Sequence, residues 1–443
     1  MSYKAAVEQL NAMGPELYTL PGLPRRKFSL VEIGVLLGAL GDPQRRIRSV
    51  LIAGTNGKGS TASTLASILT ASGVRAGLYT SPHLARVNER IRIGDVEIAD
   101  DEFARLFFRV QDAATRLVQE ARLPQLPSFF EVLTALALLY FAESEVEVAV
   151  LEVGMGGRLD ATNIVEPLIS LITDISLDHT EWLGSTITAI TREKAGILRR
   201  GGTLITLPQH PEANQALGEA AAVLGVRGVN AAEYMPAMGA GAVGSYEIAA
   251  LGEQIQVASP LSGAHQQRNV ALAIAAAVEF RSAHGFPITP AAIAAGIRQT
   301  RWPGRMERLK SSGVEWILDV AHNPAGAWAL RAGLNGLESR RPRTLIFSCL
   351  RDKPLAEMAQ ILFPLFEQVI LAPIQSARAA SMEDLEAAAR TTGSISIRAE
   401  SIGQAMKSAV GCGAGGVVVV SGSVYLVGEA RSLLFGGELG GVE

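Results

Sequence analysis

The stretch Val50-Leu51-Ile52-Ala53-Gly54-Thr55-Asn56-Gly57-Lys58-Gly59-Ser60-Thr61 decides how the chain is read. An apolar, β-branched run enters a glycine-rich turn that holds one lysine and a Ser-Thr pair. A helical pattern follows, with Leu65, Ile68 and Leu69 on one face and Gly73 as a stop. Strand, glycine loop and helix together make a phosphate cradle. Glycines let backbone N–H groups approach an anion, the helix N-terminus adds partial positive charge, and Lys58 adds a full one. The spacing departs from the usual one, because Gly54 stands four residues before Lys58 and Gly59 precedes Ser60. An ordinary glycine-rich turn is the alternative reading.

Outward from this stretch, the apolar runs at 76–80, 146–153, 168–173 and 204–207 read as further strands separated by helical patterns. The first three discharge into polar residues: Ser81-Pro82-His83-Leu84 and then Asn88-Glu89-Arg90 after the first, Glu152 and Gly154-Met155-Gly156-Gly157 at the second, and Asp174, Asp178 and His179 after the third. Open α/β sheets bind ligands at such strand ends. Glu152 at the tip of a hydrophobic strand suits a Mg²⁺-holding acid; a structural ion pair is the alternative. Arg158-Leu159-Asp160-Ala161-Thr162-Asn163 is a loop dense in polar groups, and Lys194 sits within an otherwise apolar helix end. Phe129-Phe130-Glu131 opens a long apolar helix, where paired aromatics serve a core or stack a flat ligand.

Residues 1–48 are helical in pattern, interrupted by Pro21-Gly22-Leu23-Pro24 and Arg25-Arg26-Lys27, a solvated loop or one that leans over a substrate. Residues 245–250 and 254–258 resemble a small hairpin, and Gln266-Gln267-Arg268-Asn269 opens an Ala-rich helix. The Pro-Gly break within Arg301-Trp302-Pro303-Gly304-Arg305 divides the chain into residues 1–299 and 300–443. Beyond it, strands are expected at 316–320, 344–348, 368–372, 394–397 and 417–420, alternating with helices. Their tips carry Asp319-Val320-Ala321-His322-Asn323-Pro324, Arg351-Asp352-Lys353-Pro354 and Ser421-Gly422-Ser423. Two lobes with polar tips point to a nucleotide on one side and a second substrate in the cleft. A ligase fits that arrangement better than a switch GTPase or transport ATPase does.

Composition narrows the classes. A net charge of −3 over 443 residues gives no basic field for nucleic acid. Cys349 and Cys412, both beside apolar runs, suit a reducing compartment. Residues 1–18 have no apolar core of signal-peptide length, and the run at 132–142 is too short to span a bilayer. A cytoplasmic protein acting on small molecules, with no membrane or nucleic-acid partner, is the expectation.

Taken in order, Gly54-Thr55-Asn56-Gly57-Lys58-Gly59-Ser60, Thr80-Ser81-Pro82-His83-Leu84, Glu152 through Asn163, Ser176-Leu177-Asp178-His179-Thr180, Glu193-Lys194-Ala195-Gly196-Ile197, Asp319 through Pro324 and Ser421 through Leu426 resemble the folylpolyglutamate synthase/dihydrofolate synthase family of the Mur ligase superfamily. The resemblance implies an α/β fold, with a P-loop ATPase domain of mostly parallel sheet plus a small β piece, followed by a smaller Rossmann-like domain. It also implies ATP-dependent addition of L-glutamate to dihydropteroate and to reduced folates through an acyl phosphate, by a monomer. Thr55, Asn56, Gly57, Lys58, Gly59, Ser60, Asn269, Arg305 and Asp319 match ATP-contacting positions. Ser81, Glu152 and His179 match Mg²⁺-binding positions, joined by Lys194, which is carbamylated in relatives. The resemblance leaves a monovalent cation open as a further cofactor. Lys58, Glu152, His179, Lys194 and His322 are the catalytic candidates. Phe129, Phe130, Glu131, Arg158, Leu159, Asp160 and Ala161 resemble the pattern that holds a pterin, and Arg90, His322 and Ser421 are candidates for the glutamate side. Pro21-Gly22-Leu23-Pro24 departs from the family's usual sequence in the amino-terminal loop. Alternatives are a tail-extending enzyme alone, another Mur-type amino acid ligase, or a nucleotide-binding regulator that has lost turnover.

Overall fold

A computed structural model of the protein describes residues 2–13, 29–237, 244–311, 313–335, 342–412 and 416–436. The loop at 21–27 lies outside these residues, as does the side chain of Cys412. The first lobe is built on an eight-stranded sheet. Its strands in chain order are β1 (Arg48–Ala53), β2 (Ala76–Tyr79), β3 (Ile91–Ile93), β4 (Val96–Glu97), β5 (Val148–Glu152), β6 (Pro167–Ile172), β7 (Thr203–Thr206) and β8 (Arg227–Asn230). In space they run β4-β3-β2-β5-β1-β6-β7-β8, parallel except for β3 and β4. A hairpin, β9 (Tyr246–Ala250) with β10 (Glu253–Val257), stands apart. The second lobe adds β11 (Glu307–Ser311), β12 (Val314–Asp319), β13 (Arg343–Phe347), β14 (Gln368–Leu371), β15 (Ser396–Arg398) and β16 (Val417–Ser421). Their order is β11-β12-β16-β13-β14-β15, with only β11 antiparallel.

Why these runs form parallel strands follows from where their side chains go. Along β1, Val50 and Ile52 enter one core and Leu51 and Ala53 the core on the opposite face. In β12, Trp316 and Leu318 face one core and Ile317 the other. Strands covered on both faces need apolar residues at every position, and this gives the continuous runs seen in the sequence. Each fully buried Leu, Ile or Val contributes roughly 1.5–3 kcal/mol.

Several expectations are corrected. The short strands β3, β4, β8 and β11 were not anticipated from the sequence. β15 begins two residues later than 394, and its exposed edge position lets a polar run pass as strand. Among the described residues no helix is long and apolar enough to cross a membrane.

The helix Lys58–Ala71 follows β1 and is unusually enclosed. Every residue from Gly59 to Leu69 except Ser67 is buried, against the helices Ala264–His284 and Pro290–Gln299. Alanine, serine and threonine dominate these surfaces, so the backbones come close; the Ser67 hydroxyl donates to the Gly296 carbonyl at 2.7 Å. β1 sits centrally between β5 and β6, and the loop after it opens toward the second lobe.

Candidate active site

The turn after β1 is shaped from below by the turn after β6. The Asp174 carbonyl accepts the N–H groups of Thr55 (2.8 Å) and Asn56 (3.3 Å). The Thr55 hydroxyl donates to the Ser176 carbonyl at 3.0 Å. Arg268 forks onto the Asp174 carboxylate at 3.0, 3.0 and 2.6 Å and so holds this turn to the helix Ala264–His284. Two amides of the loop are thereby used internally, and the amides from Gly57 onward are left at a helix N-terminus, where an anion is favoured. Gly57 has φ of 91°, and a Cβ there would lie 2.1 Å from Asn269 Oδ1, so only glycine fits. Lys58 is curled over its own loop, with Nζ donating to the carbonyls of Gly54 (3.3 Å) and Thr55 (3.2 Å). It can exchange those acceptors for phosphate oxygens without moving its backbone.

Around this loop a cavity of about 480 Å³ is lined from both lobes, by residues 54–60, Ser81, Glu152, Asp178, His179, Lys194, Asn269, Arg305, Asp319, His322 and Lys353 among others. Glu152 is 4% exposed at the end of β5, and its Oε2 accepts the Ser81 N–H at 3.1 Å. Burial raises its pKa, opposed by Lys58, by that N–H, and by Arg305 and Arg90. His179 adopts φ of 50°, a left-handed conformation uncommon for a residue other than glycine. Burial lowers its pKa to about 4 in spite of Asp178 beside it, so the imidazole is neutral and able to act as a ligand. Lys194 is buried, and its Nζ donates to the Gly54 carbonyl at 2.7 Å across 140 positions of sequence. Burial first, and Lys58 second, lower its pKa to about 7.

The second lobe supplies Arg305, half-buried and facing the carboxylates of Asp319 and Glu152. Asp319 accepts the N–H groups of Met306 and Ala321, both at 2.9 Å. A polar seam then crosses between the lobes. Lys353 Nζ lies 2.8 Å from Asp178 Oδ1, and Asn323 Nδ2 donates to Asn56 Oδ1 (3.0 Å) and to Asp178 Oδ2 (3.3 Å). Asn323 and Lys353 were each noted in the sequence only as part of a strand tip. Their partners lie far away in the chain, so no local signal marks them.

Other expected residues fall elsewhere. The Glu131 carboxylate accepts from the N–H and hydroxyl of Ser128, both at 2.7 Å, capping its own helix. Asp160 accepts from Met155 N–H (2.9 Å), Thr162 N–H (3.0 Å) and the Thr162 hydroxyl (2.6 Å). Arg158 pairs with Glu193 at 2.9 Å on the surface. Leu159 is exposed and Ala161 buried. Phe129 and Phe130 are separated in role. Arg90 lies over the Phe129 ring, 5.1 Å from its centroid, and Phe130 packs beside Tyr79 with centroids 5.9 Å apart. Arg90 Nε also donates to His83 Nδ1 at 2.9 Å, so Arg90 belongs to the first-lobe wall and not to the second lobe. Ser421 Oγ is buried without a partner, while its neighbours Gly422 and Ser423 line the cavity. His322 Nδ1 lies 2.9 Å from the Val320 carbonyl and its Nε2 4.0 Å from Asp178.

Among the described residues no group of three His, Cys, Asp or Glu forms a metal cage. The donors that line the cavity, Ser81, Glu152 and His179, fit a Mg²⁺ that takes its other oxygens from phosphates and water, the usual state of that ion.

Residues 52–277 match the Mur ligase middle domain, and residues 304–424 match the Mur ligase glutamate ligase domain. The chain is 36% identical over 412 residues to the folylpolyglutamate synthase of Lacticaseibacillus casei, covering 91% of this chain and 94% of that one. It is 33% identical over 426 residues to the dihydrofolate synthase/folylpolyglutamate synthase of Bacillus subtilis, covering 94% and 95%. The Mycobacterium tuberculosis folylpolyglutamate synthase complexed with ADP and AMPPCP superposes with a TM-score of 0.87 at 33% identity, over 97% of this chain and 98% of that one. E. coli FolC in complex with DHPP and ADP gives a TM-score of 0.84 at 29% identity, over 99% of each. With both Mur ligase modules in order and the likeness running nearly end to end, the chain belongs to the folylpolyglutamate synthase/dihydrofolate synthase family of Mur ligases.

Proposed function

We propose that the protein is an ATP-dependent ligase that joins L-glutamate to 7,8-dihydropteroate and to the γ-glutamyl tail of reduced folates. The observation that carries this reading is the single cavity in which the glycine loop and Glu152 of one lobe meet Arg305 and Asp319 of the other. In the first step an acceptor carboxylate oxygen attacks the γ-phosphorus of ATP and ADP departs, leaving an acyl phosphate. In the second, the glutamate amine attacks the acyl carbon and phosphate leaves.

In this reading the amides of Gly57 to Ser60 and the Lys58 ammonium hold the phosphates, and Asn269, Arg305 and Asp319 complete the nucleotide site across the cleft. Ser81, Glu152, His179 and a carbamylated Lys194 would hold Mg²⁺, which when bound neutralises charge on the phosphoryl oxygens. Phe129, Phe130 and the loop at 158–161 bound the pterin side, and the His322 and Ser421 tips bound the glutamate side. The lobes divide at residues 299 and 300. One chain completes the cavity, in keeping with a monomer, and buried Cys349, free of any disulfide, is in keeping with the cytoplasm.

The test is phosphate release from ATP with L-glutamate, comparing dihydropteroate with a reduced folate. Turnover with both is expected. Turnover with folate alone would leave a tail-extending enzyme, and none with either, despite bound ATP, would exclude this ligase chemistry.

A further inference from the structure

Leu84 of the first lobe is packed into the second. It follows Ser81-Pro82-His83, on the same turn as Arg90, and its side chain joins the core cluster of Trp316, Leu318 and Leu426. The turn that presents it is held by one carboxylate. Glu89 accepts the N–H groups of Leu84 (2.7 Å), Ala85 (3.0 Å) and Arg86 (2.9 Å).

Two glycines of the second lobe make the space that Leu84 fills. Gly304, with φ of +71°, would place a Cβ 3.3 Å from both Leu84 methyls. Gly428 lies buried within the helix Val424–Phe435, where glycine is disfavoured unless packing demands it. A Cβ at Gly428 would sit 1.9 Å from the Leu84 carbonyl oxygen and 2.7 Å from its carbon. That obstacle is main chain fixed by Glu89, which no rotamer change can clear. The socket's two walls are themselves joined. Arg431, one turn beyond Gly428, bonds both Glu307 oxygens at 3.1 Å, and Glu307 accepts the Gly304 N–H at 2.9 Å.

We propose that the seating of Leu84 between Gly304 and Gly428 sets the register of the second lobe against the first-lobe turn at 81–90, making Leu84 and Gly428 positioning residues for the ligation. The turn carries Ser81 and Arg90 on one side of the cleft, and the helix begins beside Gly422 and Ser423 on the other. A lobe that stops short leaves the two reactants apart. This inference rests on the ligase reading above.

The test uses full-length protein carrying Gly428→Ala or Leu84→Ala. Gly428→Ala is expected to lower kcat on the order of 10²-fold, as misplacement by about 1 Å does. It should also raise KM for glutamate and weaken ADP binding, because Arg305 and Asp319 move with the second lobe, and small-angle scattering should show wider lobes. Leu84→Ala should lower kcat less. In the double variant Leu84→Ala should not rescue Gly428→Ala, because the clash is with main chain. A Gly428→Ala protein with wild-type kcat and KM overturns the proposal, and if that variant fails to fold, an unaffected Leu84→Ala protein does so. Wild-type protein that releases no phosphate defeats the ligase reading instead, and the scattering comparison then still decides the socket.

Discussion

Replacing Lys353 with methionine should open the cleft, and the size of the effect follows from the seam between the lobes. The ammonium lies 2.8 Å from Asp178, with side chains only 6% and 11% exposed. Burial alone would raise the Asp178 pKa, but His179, Lys353 and His322 more than offset it and hold the carboxylate well below its usual range. At an effective dielectric of 20 the pair's attraction is about 6 kcal/mol, much of it spent against desolvation. Removing one partner from a buried pair costs about 3–5 kcal/mol, because the other charge is stranded. Here the stranded Asp178 has an escape, since parting the lobes restores its water. A loss near 3 kcal/mol would therefore appear as a shift of about 10²-fold toward separated lobes, without loss of folding. Asp178→Asn with Lys353→Met leaves neither charge buried and keeps an acceptor for Asn323, so it should recover much of the loss. The assay is a double-mutant cycle on kcat/KM for phosphate release, paired with scattering. A coupling of about 2 kcal/mol or more is expected. Single effects that simply add, within about 0.5 kcal/mol, would refute the argument.

A Lys194 amine brought to about 7 is about half neutral at pH 7, against roughly one in 10³ for an ordinary lysine, so carbamate formation is accessible. Added bicarbonate should raise the activity of CO₂-depleted protein, isotope-labelled bicarbonate should give a carbamate signal, and Lys194→Arg should lose both; full activity in Lys194→Arg would count against carbamylation. Arg268→Ala frees the Asp174 turn beneath the glycine loop and should weaken ADP binding about fivefold by calorimetry, a modest effect because the pair is partly exposed. Burial, with Arg90 next in effect, lowers the His83 pKa to about 3. The unfolded chain thus takes up a proton near pH 6.5 that the folded one refuses. Its contribution is full above that pH and declines as pH falls toward 3. Thermal unfolding of His83→Asn should show a shallower acid limb than wild type, and parallel limbs would contradict the assignment.

What the chain reveals before folding depends on the range of each interaction. β1, β5, β6 and β16 are legible because burial on both faces writes itself as unbroken aliphatic runs. β3 and β4 are not, since strands of three and two residues at a sheet edge carry too few positions for a period. β11 reads Glu-Arg-Leu-Lys-Ser, an edge pattern easily taken for a loop. The glycine loop was legible from chemistry confined to seven residues. The contacts of Lys194 with Gly54 and of Lys353 with Asp178 were not, because only the sheet order brings strand tips so distant in sequence together. Glu131 teaches the opposite lesson. Ser128 stands three residues before it, the signature of a capping box, so the contact it makes with Ser128 was open to a local rule that was not applied.

The enclosure of the helix Lys58–Ala71 bears on how such an enzyme can diverge. With small residues on three helices in near contact, enlargement meets an immediate neighbour: a Cβ at Gly296 would lie 2.4 Å from the Ile68 Cα, and one at Gly59 would lie 2.5 Å from the Trp302 ring. That surface offers selection very little to vary. Divergence in substrate preference is left to the less enclosed walls of the cleft, such as exposed Tyr425 at the start of the helix Val424–Phe435. Inhibitors meant to distinguish one relative from another should be sought there as well.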